Sequence, residues 1–82
     1  MTAKEMFEAL GYEQTTNNDN LIEYRDDSHG DGDYAYVCFN FMWKEYEVGY
    51  YDGHVTKTNE PMYVSIKEHE AITKQMKELG WI

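Results

Sequence analysis

A chain of 82 residues with one cysteine and a formal net charge of −9 reads as one small domain with no internal disulfide. Its acidity argues against direct nucleic-acid binding, which rests mainly on Lys and Arg contacts. No apolar run approaches the ~20 residues of a membrane-spanning helix. The opening MTAKEMFEAL lacks the basic start and apolar core of a signal peptide, so a soluble protein of the cytoplasm is expected.

Thr2 is placed to cap a helix over residues 3–10, and Glu5, three positions on, completes a capping box. Ala3, Met6, Phe7 and Leu10 form its apolar stripe, and Gly11 ends it in the left-handed conformation. QTTNNDN at 14–20 reads as a polar turn or the top of a short hairpin, and LIEYR at 21–25 as a strand. DDSHGDGD at 26–33 is too rich in Asp and Gly for a strand interior and reads as a solvated loop.

Residues 34–51, YAYVCFNFMWKEYEVGYY, are the middle of an antiparallel sheet. Side chains alternate along a strand, so Ala35, Val37, Phe39, Phe41 and Trp43 share the core face. Tyr34, Tyr36, Cys38, Asn40 and Met42 take the other. A turn at Lys44 and Glu45 would pair Trp43 with Tyr46, Phe41 with Val48 and Phe39 with Tyr50, although Lys-Glu is a poor primed-turn dipeptide. Asp52-Gly53 is a strong hairpin signal and predicts a further strand over 54–58, a turn at 59–61 and a short strand at 62–64.

Ser65 and Glu68 form a second capping box. Ile66, His69, Ile72, Met76 and Leu79 follow at helical spacing, Gly80 closes the helix, and Trp81 can fold back as an apolar anchor. The fold class expected is α+β, in a single domain over residues 1–82. A helix leads into an antiparallel meander of four or five strands, and a C-terminal helix joins the first on one sheet face.

Candidate sites are few. An EF-hand loop begun at Asp27 would have His29 at its third position and Cys38 where the closing glutamate belongs, so the calcium pattern fails. His29, His54 and His69 share no metal-ligand spacing, and His69 reads as a partly buried, hydrogen-bonded residue. Cys38 has no companion nucleophile motif. No phosphate loop, zinc pattern or dinucleotide fingerprint occurs, so neither an enzyme nor a cofactor is expected.

The charge itself is uneven. Residues 1–33 hold nine acids and two bases, a net of −7, whereas residues 53–82 balance. Such a surface attracts basic ones. Asp26, Asp27, Asp31, Asp33, Glu45, Glu47 and Asp52 are the candidate contacts, with Tyr34 and Tyr36 as aromatic anchors. Tyr34, Tyr36 and Tyr51 with Glu47 would form a mixed acidic and tyrosine face.

The two ends of the chain, TAKEMFEALGYE at 2–13 and SIKEHEAITKQMKELGW at 65–81, resemble short, mostly uncharacterised proteins of phages and prophages of Gram-positive bacteria. These share an opening helix followed by LGY and a closing helix followed by LGW. The resemblance covers roughly a third of the chain and implies a phage-associated origin without catalytic residues. Together with the acidity, it suggests an accessory protein that binds and inhibits a host protein with a basic surface, as anti-CRISPR and anti-restriction DNA mimics do. The alternative is a structural or regulatory module acting by self-association or phage-assembly contacts through its sheet.

Overall fold

The computed structural model describes residues 1–28, 30, 32–52 and 63–82. It is an α+β arrangement. Helix α1 (Ala3–Ala9) is followed by strands β1 (Glu13–Asn17), β2 (Leu21–Asp26), β3 (Tyr34–Asn40) and β4 (Glu45–Tyr51), and then by helix α2 (Ile66–Glu78). The four strands form an open antiparallel sheet in sequence order. Neither helix is long and apolar enough to cross a membrane.

Both helices are bounded by local chemistry. Thr2 and Ser65 each accept an N–H from the glutamate three residues on, and Glu5 and Glu68 each accept the cap residue's own N–H. Both end alike. Gly11 and Gly80 sit at φ +99° and +77°. The N–H groups of Tyr12 and Trp81 reach back to the carbonyls of Phe7 and Met76, closing Schellman motifs. The LGY and LGW signatures are therefore cap sequences, whose third residue is an aromatic turned back onto the fold. Trp81 meets Phe39 and Phe41 edge-on at 6.2 and 6.3 Å.

The core lies between the helices and one face of the sheet. Phe7 from α1 and Ala71 and Ile72 from α2 are buried with Tyr12, Ile22, Tyr24, Val37 and Phe39. The rings of Phe7 and Tyr24 stack with centroids 4.0 Å apart. A glutamate also ties the helices together, since the Ala3 N–H donates to Glu78 Oε2 at 2.9 Å.

Several expectations are corrected. Residues 14–17 are not turn but most of strand β1, which carries a bulge between Gln14 and Thr16. The turn is confined to 18–20, where Asn18 Oδ1 accepts the N–H groups of Asn20 and Leu21. The β3–β4 register also differs: Phe39 faces Tyr46, Val37 faces Val48 and Ala35 faces Tyr50. The side chain of Asn40 accepts from the N–H groups of Met42 and Trp43, and Lys44 closes the loop at φ +52°. This Asx turn ends β3 at Asn40, so Trp43 is 68% exposed at the loop rather than in the core. The displacement is four residues, an even number, so every β4 side chain keeps its expected face.

In α2, Ile72 is buried and Met76 and Leu79 pack on the core as expected, but Ile66 and His69 are exposed, and Ala71 and Gln75 are buried in their stead. The packed stripe is disguised because two of its members are polar. Tyr12 donates its hydroxyl to Glu68 at 2.7 Å, and Tyr24 donates to Gln75 Oε1 at 2.5 Å, which satisfies both beneath the helix. The strand expected at 54–58 lies outside the described residues. Tyr63 and Val64 are exposed and belong to no strand.

The Tyr12–Glu68 contact makes stability pH-dependent. Burial raises the carboxyl pKa of Glu68, but hydrogen bonds from the Ser65 backbone and Tyr12 outweigh it and hold the pKa below the ordinary value. Its contribution is therefore complete above the unfolded carboxyl pKa and is lost as pH falls through the folded one. Tyr12 is displaced the other way, by burial and by the bond to Glu68, so its contribution is lost as pH rises beyond the ordinary phenol range. Thermal melts across pH should thus show an acid limb, and Glu68→Gln, which keeps the capping box, should flatten it. An unchanged acid limb would remove Glu68 as its source.

Candidate functional site

The two faces of the sheet differ. One is covered by the helices. The other carries Glu23 and Arg25 from β2, Tyr34, Tyr36 and Cys38 from β3, and Glu45, Glu47 and Tyr51 from β4, as strand alternation and the ladder registers require. Glu13 of β1 stands opposite Arg25.

These side chains form a continuous network. Arg25 Nε donates to Glu23 Oε1 at 3.2 Å, and the Arg25 guanidinium lies over the Tyr34 ring, 4.2 Å from its centroid. Thr15 Oγ1 donates to the same glutamate oxygen at 3.2 Å. Tyr34 stacks on Tyr51 with centroids 5.1 Å apart and rings 24° from parallel, and it touches Tyr36 at 6.1 Å. Tyr36 donates its hydroxyl to Glu47 Oε2 at 2.8 Å. That bond, reinforced by burial, pushes the phenol pKa up to about 12.

Gly49 makes this geometry possible. It faces Tyr36 across the ladder, and the Tyr36 ring lies directly over it, in the space a Cβ would fill. Cys38, half-buried on the same face, has its thiol pKa pushed up by burial and by the negative charges of Glu23 and Glu47. It is held protonated, the wrong direction for a nucleophile.

The structure divides the acidic residues singled out from the sequence. Tyr34, Tyr36, Glu45 and Glu47 share the outer face. Asp26 does not: it is the last residue of β2, opposite Ala35, and its carboxylate lies on the helix side near Gly11. Its Oδ1 also accepts the Ser28 N–H. Asp27 is exposed in the β2–β3 loop, where its carbonyl accepts the Gly30 N–H. Asp33 accepts from the Tyr50 hydroxyl at 3.4 Å, and Asp52 directly follows β4. Asp27, Asp33 and Asp52 therefore sit at the end of the sheet marked by the Tyr34–Tyr51 pair. Asp31 and His29 lie outside the described residues.

Sequence reasoning missed Glu23 and Arg25. The available signal was that Arg25 is the chain's single arginine and shares strand parity with Glu23 two residues before it. The exposure of Trp43 in the β3–β4 loop was also missed, as a consequence of the displaced register.

A concavity of about 340 Å³ opens between the helices, lined by Met6, His69, Glu70, Thr73, Lys74 and Lys77. None of the six is buried, so it presents solvated charges rather than an oriented polar group. Among the described residues, no three His, Cys, Asp or Glu side chains converge as metal ligands. No protein-family model, curated protein or solved structure matches the chain.

Proposed function

We propose that this chain is a small acidic phage accessory protein that binds and inhibits a host nucleic-acid-processing or defence protein, in the manner of an anti-CRISPR or anti-restriction DNA mimic. The observation that carries the reading is the outer sheet face, where tyrosines lie among Glu23, Glu45 and Glu47 with no helix of the described residues covering them. Carboxylates interspersed with large, amphipathic rings suit a basic protein surface: the charges steer association and the rings supply desolvated area. The −9 net charge disfavours nucleic acid as the direct ligand. The phage origin rests on the resemblance of the two capped helices. Such a protein acts in the host cytoplasm by occupancy, and needs neither catalysis nor a cofactor.

The test is capture from nuclease-treated host lysate on the tagged protein, with salt elution. One nucleic-acid enzyme should be released at moderate salt, and its activity should fall when the protein is added. A Glu45→Lys, Glu47→Lys variant should lose capture by more than tenfold, since like charges then oppose across the contact. Undiminished capture by that variant would show that the outer face is not the contact.

A second reading, self-association through the sheet or assembly into a phage particle, is favoured by the exposed apolar surface of Met42, Trp43, Tyr46 and Tyr50. Sedimentation as a strict monomer at tens of micromolar would remove the self-association form of that reading.

A further inference from the structure

We propose that the outer face of the sheet is selective for arginine over lysine, so that the partner surface it fits is one that presents guanidinium groups. This rests on the protein-binding reading above and names the partner's chemistry.

The argument starts from a guanidinium the face already holds. The Arg25 guanidinium lies over Tyr34, 4.2 Å from the ring centroid, while its Nε reaches Glu23 at 3.2 Å. A ring face and a carboxylate are two groups that a planar, forked cation uses together. The other side of the tyrosine cluster offers both kinds of group on one face. Tyr51, stacked on Tyr34, is 50% exposed. Glu45 and Glu47 are exposed on the same strand and the same face. Glu47 uses Oε2 to hold Tyr36, and its Oε1 has no hydrogen bond among the described residues.

The arrangement is also preorganised. The Tyr36 ring is seated on Gly49 and tethered at its hydroxyl, and Tyr34 is in contact with both Arg25 and Tyr51. A guanidinium arriving at this face meets a held ring at Tyr51 and carboxylates farther along the same strand. An ammonium is a compact, strongly hydrated point charge that gains the carboxylate but little from the ring. Carboxylates alone would attract both cations equally; the rings create the difference.

The test uses two blocked pentapeptides, Gly-Arg-Gly-Arg-Gly and Gly-Lys-Gly-Lys-Gly, titrated to millimolar concentration into the protein at low salt and followed by amide NMR. The arginine peptide should bind at least about threefold more tightly and shift Tyr34, Tyr36, Glu47 and Tyr51. Tyr51→Leu keeps apolar area but removes the ring; it should lower arginine affinity more than lysine affinity and so narrow the difference between the two peptides. Equal affinities for the two peptides would overturn arginine selectivity while leaving a basic partner in place. Shifts confined to the helix side or to Asp27 would overturn the choice of surface. No binding of either peptide would overturn both this inference and the reading it rests on.

Discussion

Phe7→Ala is expected to cost about 3–5 kcal/mol, the range for removing a fully buried phenylalanine. Phe7 is the one large fully buried side chain of α1, with Met6 and Leu10 packed partly buried beside it. It stacks on Tyr24 and meets Tyr12 and Phe39 edge-on at 5.6 and 6.3 Å. A helix of seven residues has no independent stability, so its packing decides whether it forms. Native proteins hold only about 5–15 kcal/mol in total, so the variant should lose a large share of its stability. Urea unfolding followed by circular dichroism measures the loss directly. A midpoint shift equivalent to less than about 1 kcal/mol would mean that α1 is not docked through this ring.

Gly49→Val is expected to destabilise, against what strand propensity alone says. Valine is a better strand former than glycine. Here the Tyr36 ring occupies the space, so any side chain at position 49 must displace it. The expected cost is about 1–3 kcal/mol, the usual range for overpacking. A second signature distinguishes this from a general loss of strand: displaced from Glu47, the Tyr36 phenol should titrate well below its value of about 12. Tyr36→Ala in the same chain should recover part of the loss, because the two side chains compete for one place. If Gly49→Val were neutral and the Tyr36 titration unchanged, the ring would not be seated as described. The same variant should weaken partner binding, since Tyr36 belongs to the preorganised face.

Much of the candidate surface was legible in the sequence. Alternation from Tyr34 onward puts Tyr34, Tyr36 and Cys38 on one face, and the β4 face assignment survives the register change because the displacement is even. The acidic loop was misread in part. Asp26 and Asp27 are neighbours in the chain, but Asp26 still obeys the alternation of β2 and turns to the helix side. Composition treats adjacent acids as one cluster; the end of a strand separates them. The Glu23–Arg25–Tyr34 arrangement joins β2 to β3 across the loop, and no spacing rule within one segment predicts it.

The sequence by itself determined where both helices begin and end and which side of β3 is apolar. Caps close through hydrogen bonds spanning three to five residues, and alternation is a property of the extended backbone itself. Only the tertiary structure decided the strand register, the polar members of the packed stripe of α2 and the residues that meet on the outer face. The reason is physical distance along the chain. The α2 stripe is selected by Tyr12 reaching Glu68 across 56 positions and Tyr24 reaching Gln75 across 51. Such pairings depend on how the whole sheet is assembled, and it is that assembly, rather than any local preference, that leaves Tyr34, Tyr36 and Tyr51 side by side with carboxylates around them.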